Sequence, residues 1–204
     1  LQGYPNLEYI IVDGGSSDGT VAVVKRFDKV ICLSSERGRG RQMNAGAKAA
    51  SGDLLLFLHA DTRLPDRGLE LISESVTQGG WNWGWFDVRL DGRGVFLALI
   101  GWLISLRSRI TSTPTGDMGI FVTAKTFEEI GGYEELPLME DIDLARRLRR
   151  SFPGGAIRAS VTTSARRWKS GGVAKTVLLM WCLRWLYFLG VSPKRLAGWY
   201  ADIR

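Results

Sequence analysis

The sequence predicts an α/β fold with a mainly parallel central sheet flanked by helices. Three observations carry that expectation. Strand-like and helix-like segments alternate through residues 1–60, which is the pattern of an α/β sheet. The run LLLFL (54–58) is apolar throughout, as suits a strand covered on both faces. Polar residues stand at the ends of two strand-like runs, at Asp13 and Asp61, where such sheets bind ligands.

EYIIVD (8–13) is β-branched and aromatic and leads into the tight turn GGSSDGT (14–20) and the helix-like TVAVVKRF (20–27), so it reads as strand, turn, helix. VICL (30–33) is a second short strand. RGRGR (37–41) reads as a basic glycine loop ahead of the helix QMNAGAKAA (42–50), which Ser51 and Gly52 break. LLLFL ends in His59, Ala60 and Asp61. A helix over GLELISESV (68–76), a strand or hairpin over WNWGWFDVRLD (81–91) and a helix over 95–109 follow. Then come a Thr/Ser/Pro loop with Gly116 and Asp117, a strand over GIFVTA (119–124), a short helix TFEEIGG (126–132) and the helix LMEDIDLARRLRR (138–150). No internal repeat or linker divides the chain, so 1–204 is expected to form one domain with an apolar helical segment at 173–190.

The charge balance, 27 Lys and Arg against 21 Asp and Glu for a net +6, favours anionic partners such as nucleotides, phosphorylated metabolites or acidic lipid. The arginines are dispersed and no nucleic-acid-binding signature occurs, so nucleic acid is not expected as a partner. Cys32 and Cys182 each lie in an apolar run and read as small buried hydrophobes in a reducing compartment. No secretory signal is seen, and a cytoplasmic location is expected. VFLALIGWLISL (95–106) and VLLMWCLRWLYFLG (177–190) fall short of the roughly 20 apolar residues of a spanning helix. Burial in the core is favoured over contact with the inner face of a membrane, which stays open.

Asp141 is the most telling residue. At about 100° per residue, Leu138, Ile142, Leu144, Ala145 and Leu148 form one apolar arc with Asp141 in its middle, and Glu140 and Asp143 outside it. A carboxylate so placed is either a first-turn cap or a partly desolvated general base, with Glu140 orienting it or contacting the acceptor. Asp61, directly after a strand, suits a hard divalent cation, Mg²⁺ or Mn²⁺, which takes one or two protein carboxylates together with substrate phosphates; a turn-capping Asp is the alternative. His59, the single histidine, is either a second ligand or a structural residue.

Asp13, Gly14 and Ser16 open a turn whose backbone amides suit a nucleotide. Neither the dinucleotide fingerprint nor the P-loop occurs, which weakens dehydrogenase and NTPase readings. Arg166, Arg167 and Trp168 join a guanidinium fork to an aromatic face, apt for a diphosphate and a sugar or base. Trp81, Trp83 and Trp85 alternate along a strand and read as core, with a wall that stacks on the acceptor as the alternative.

YIIVDGGSSDGT, the apolar strand ending in HAD, Gly116-Asp117, the ED of LMEDIDL and the later ARRW together resemble the ordered motifs of family 2 inverting glycosyltransferases. LRSRITSTPTGDMGIFV, ELPLMEDIDLARRL and YFLGVSP are similar to the small bacterial arsenosugar-biosynthesis or selenodomain-associated branch. The resemblance implies a GT-A nucleotide-diphospho-sugar transferase fold and a nucleotide-sugar donor. It implies an acceptor that is a small molecule or lipid-linked, and a divalent metal. Asp13, Gly14, Ser16, Arg37, Asn44, His59, Ala60, Asp61, Arg167 and Trp168 would then line the donor, Asp61 would hold the metal, Gly116 and Asp117 would meet the acceptor, and Asp141 would be the base beside Glu140. His59 stands where the family's first D-x-D acid usually stands. The opening strand that precedes the first motif in the family is missing, so an incomplete donor pocket is expected. A nucleotidyltransferase and a non-catalytic nucleotide-sugar-binding protein at the membrane surface are the competing readings.

Overall fold

The computed structural model of the chain describes residues 4, 6–92, 94–166 and 173–202, with side chains described for all of these except 173–177 and 201–202. In chain order the strands are β1 (Tyr9–Asp13), β2 (Val30–Ser34), β3 (Leu54–Phe57), β4 (Thr62–Arg63), β5 (Trp83–Asp91), β6 (Ile120–Thr123) and β7 (Gly154–Ser164). The helices are α1 (Thr20–Val24), α2 (Arg39–Ala49), α3 (Gly68–Thr77), α4 (Val95–Thr111), α5 (Ala124–Glu129), α6 (Glu140–Ser151), α7 (Val173–Phe188) and α8 (Pro193–Asp202), with a 3₁₀ turn at Gly116–Met118.

The α/β class holds, and the sheet is mixed where a mainly parallel one was expected. β1 and β2 pair in parallel, and a second sheet runs β3-β6-β5-β7-β4. Of its described pairings β5–β7 is parallel and β3–β6, β5–β6 and β4–β7 are antiparallel. The apolar run of β3 therefore pairs antiparallel with β6, Leu55 opposite Val122. Continuous hydrophobicity reports cover on both faces and says nothing of strand direction.

The core lies on this sheet. Trp83, Trp85, Phe86, Phe121 and Ile120 are fully buried, and Trp83 and Trp85 pack with ring centroids 5.2 Å apart, so the tryptophan series is core. The predicted arc of α6 is buried as well: Ile142, Leu144, Ala145 and Leu148 are at most 1% exposed, each large one contributing about 1.5–3 kcal/mol.

α4 is buried along one face only. Its buried residues are Leu97, Ile100, Gly101, Ser105 and Ser108: Gly101 sits so close to β5 that a Cβ there would lie 2.8 Å from the Val88 carbonyl oxygen, and Ser105 Oγ accepts from the Val88 amide at 3.0 Å. Arg109 clamps the far end to Asp87 through Nε at 2.9 Å. The large side chains Val95, Phe96, Leu99, Trp102, Leu103 and Ile110 face outward and are exposed. On α7, Leu183 packs with Leu138, Met139, Ile142 and Leu196, whereas Leu178, Trp181, Trp185 and Phe188 are exposed. The expectation that both apolar segments are buried is thus corrected for their outer faces. Cys182 shares the outer face of α7 and is exposed; Cys32 is half-buried, and both are free thiols. No described helix is long and apolar enough to cross a membrane.

Candidate active site

Asp13 closes β1 and is buried. Its Oδ2 accepts from the amides of Gly15 at 2.9 Å and Ser16 at 3.0 Å, so the carboxylate folds the glycine turn around itself. Hydrogen bonding from Ser16, hydroxyl then amide, and from Gly15 holds its carboxyl below the ordinary aspartate range. Gly15 and Gly19 both take positive φ, which this turn requires.

The start of α2 reaches across from this turn. Gln42 Nε2 donates to the Val12 carbonyl at 2.9 Å and its side chain lies against Gly14, 3.0 Å from where a Cβ would stand. One turn earlier Arg39 Nε pairs with Glu140 Oε1 at 2.8 Å. The RGRGR segment, expected as a loop, places Arg39 and Arg41 in the first turn of α2. Gly40 permits this, because a Cβ there would fall 2.6 Å from the Glu134 carbonyl oxygen. Arg41 is paired with Glu36 and Glu135, and Arg37 is exposed ahead of the helix.

Glu140 is 2% exposed, the reverse of its predicted place outside the buried arc. A helical wheel sees the contacts of one helix, and the cover here comes from α2. Burial, then the neighbouring Asp141 charge, raises its carboxyl to about 7 against the opposing pull of Arg39. Its Oε2 is buried with no partner.

Asp141, half-buried in the first turn of α6, is held at both oxygens. Oδ2 accepts from the Gly116 amide at 2.7 Å and Oδ1 from the Ile142 amide at 2.8 Å. Each oxygen keeps a further lone pair. Gly116 carries His59 on its other side: a Cβ at Gly116 would lie 2.6 Å from His59 Nε2. The end of β3 and the start of α6 therefore meet at one glycine. With the Val12–Gln42 and Arg39–Glu140 contacts, this links the Asp13 turn, the His59–Asp61 turn and Asp141 through one chain of contacts. Gly116, expected at the acceptor, has its amide engaged by Asp141.

Asp61 is exposed in a turn closed by the Thr62 amide donating to the His59 carbonyl at 2.9 Å. Ala60 is exposed beside it. Among the described residues there is no group of three side chains suited to a metal; one free carboxylate fits a cation that takes its remaining oxygens from substrate phosphates. Asn44, expected at the donor, serves as a clamp: its amide donates to the Tyr133 carbonyl at 2.8 Å and accepts from the Tyr133 amide at 2.9 Å. Asp117 is half-buried with Oδ1 unpartnered. Arg167 and Trp168 lie outside the described residues.

The residues missed among these neighbours are Gln42, Arg107 and Arg184. Arg107 and Arg184 each interrupt an apolar helix, and that interruption was the available signal.

A family model of glycosyl transferase family 2 matches residues 1–124. The poly-β-1,6-N-acetyl-D-glucosamine synthase of Staphylococcus epidermidis is 37% identical over 68 residues, 31% of this chain and 16% of the synthase. An uncharacterised glycosyltransferase of Mycobacterium tuberculosis is 36% identical over 73 residues, 34% of this chain and 27% of its own length. The matched part is thus a minor share of these relatives. S. aureus TarS 1-349 with UDP-GlcNAc superposes with a TM-score of 0.60 at 20% identity, covering 78% of this chain and 50% of that one. The mannosyltransferase PcManGT of Pyrobaculum calidifontis, with GDP-Man and Mn²⁺, superposes with a TM-score of 0.59 at 15% identity, covering 96% of this chain and 60% of that one. These likenesses show the GT-A fold, and the chain belongs to glycosyl transferase family 2.

Proposed function

We propose that the chain transfers a sugar from a nucleotide-diphosphate donor to an acceptor hydroxyl in a single inverting displacement, with Asp141 as general base. The observation that carries the reading is the junction at Gly116, which fixes Asp141 beside the end of β3. The Asp141 carboxylate takes the hydroxyl proton as the acceptor oxygen bonds to the anomeric carbon, and the bond to the diphosphate breaks on the opposite face. The anchored amides hold the base in position before the acceptor arrives.

The Asp13 turn, with the amides beyond it, supports a nucleotide at the end of β1, and Gln42 fixes that turn against α2. UDP-GlcNAc and GDP-Man, bound by the two structural relatives, are the first donors to try. Asp61 would hold a divalent cation, Mg²⁺ or Mn²⁺, which supplies positive charge to the departing diphosphate when bound. The 106–122 and 135–148 motifs favour the arsenosugar-biosynthesis branch and a small or lipid-linked acceptor. The exposed apolar row on α4 supports contact with a membrane surface.

The test is release of nucleoside diphosphate from a panel of nucleotide sugars, with and without Mn²⁺. The reading predicts release that depends on both enzyme and acceptor. Release of pyrophosphate from a nucleoside triphosphate instead would assign a nucleotidyltransferase, and binding without release would assign a non-catalytic binder.

A further inference from the structure

Two arginines near Asp141, Arg184 buried and Arg107 half-buried, carry buried donors that are unmatched. Arg184, on α7, is 7% exposed. Its Nη2 donates to Thr113 Oγ1 at 2.9 Å and to the Thr113 carbonyl at 3.3 Å, and its Nη1 has no partner. Arg107, on α4, donates from Nη2 to Ser108 Oγ at 2.7 Å, and its buried Nε has no partner. Neither belongs to an ion pair among the described residues. The two are nonetheless neighbours in charge. Burial, then Arg107, lowers Arg184 to about 10, against Asp141 and Asp117; burial lowers Arg107 against the same two carboxylates. Asp117 Oδ1 completes the set as a buried acceptor with no donor.

A buried polar group without a partner is costly, the more so when charged, and native folds rarely leave several together. The group that meets all three carries oxyanion oxygens for the guanidinium donors and a hydroxyl for Asp117. The donors come from two helices, so they point to a tetrahedral phosphoryl group, whose oxygens diverge. A planar carboxylate suits a single guanidinium fork. In an in-line displacement the base and the acceptor stand on the face of the anomeric carbon opposite the diphosphate, so cations gathered around the base face the acceptor.

We propose that Arg107 and Arg184 bind a phosphoryl group on the acceptor, with Asp117 accepting from an acceptor hydroxyl. This rests on the assignment of Asp141 as base. The phosphoryl group belongs either to a soluble polyol phosphate or to a lipid phosphate.

The experiment is calorimetric titration of the whole chain, R184Q, R184K and R107Q with glycerol 1-phosphate and decyl phosphate. Glycerol and decyl glucoside are the neutral counterparts, and UDP and GDP are donor-side probes. The expected result is binding of a phosphate probe at least tenfold tighter than its neutral counterpart. That preference is lost by tenfold or more in R184Q and R107Q and partly kept in R184K, with UDP and GDP affinities within twofold of the parent. Tighter binding of decyl phosphate assigns the lipid source, and of glycerol 1-phosphate the soluble one. Three outcomes overturn the proposal: no preference for phosphate, as when water alone fills the gap; unchanged phosphate binding in the glutamine variants; or parallel loss of UDP and GDP, which would place the arginines on the donor diphosphate. If R184Q fails to fold by thermal unfolding, R107Q and R184K carry the comparison. Failure of the parent to bind UDP or GDP would count against the donor site and leave the phosphate result readable.

Discussion

The Gly116 amide donates to Asp141 Oδ2 at 2.7 Å, and the opposite side of the same glycine is filled by His59. Residue 116 is therefore the point at which the end of β3 meets the first turn of α6, and a side chain there would run into the His59 ring.

Gly116→Ala should act through His59. The added methyl falls 2.6 Å from Nε2, inside contact distance, so the ring and the Asp141 bond must shift. The expected result is a destabilised, weakly active protein. In Gly116→Ala/His59→Ala the clash is gone, and stability should exceed the sum of the single effects by about 0.5 kcal/mol or more. Additive effects in denaturant titration would mean that the two residues are not coupled.

Glu140 should make stability depend on pH. Its folded value of about 7 lies above the ordinary 4.5, so between those values the unfolded chain loses its proton first. The stability that Glu140 contributes is then fully present below about pH 4.5 and is lost as pH rises towards 7, by roughly 3 kcal/mol. Glu140→Gln should remove most of that slope in urea titrations between pH 4.5 and 7.5; an unchanged slope would place its source elsewhere.

Asn44→Ala should cost about 1–3 kcal/mol, because it leaves both the amide and the carbonyl of Tyr133 without their partner. If Asn44 clamps the loop, affinity for UDP or GDP in the folded variant should change little. A selective loss of nucleotide affinity at unchanged stability would return Asn44 to the donor site.

Phe96→Ser/Trp102→Ser tests the outer face of α4. Both side chains are exposed, 78% and 58%, so stability should stay within about 0.5 kcal/mol per site. Sedimentation with phosphatidylglycerol vesicles should fall at least tenfold if this face enters the membrane interface. Equal sedimentation of variant and parent would remove membrane contact from the account.

Much of the fold was legible because periodicity was strong. The arc of α6 gave its element type and, Glu140 apart, its buried face; the alternation of β5 gave a strand, although its first four residues are buried on both faces; and the glycine turn after Asp13 followed from its composition. β7 went unassigned, although Ile157, Val161 and Thr163 are its buried positions, since its exposed Arg158 and small residues blunt the pattern. β4, two residues long, exists only through pairing with β7. Strand direction was misjudged at β3 because cover on two faces does not fix it. At the candidate site, Asp13, Asp61 and Asp141 stand near strand or helix ends, where the sequence draws the eye to them, whereas Gln42, Arg107 and Arg184 lie on elements distant in sequence. The buried Glu140 pairs with Arg39 of α2, and no single-helix pattern contains that contact.

The most direct test is turnover of Asp141→Asn beside its affinity for the nucleoside diphosphate. Asparagine retains an oxygen to accept from Gly116 and cannot take the acceptor proton. The predicted result is a fall in kcat of about a hundredfold to ten-thousandfold with UDP or GDP affinity within twofold of the parent. Near-normal kcat in Asp141→Asn would contradict the assignment of the base.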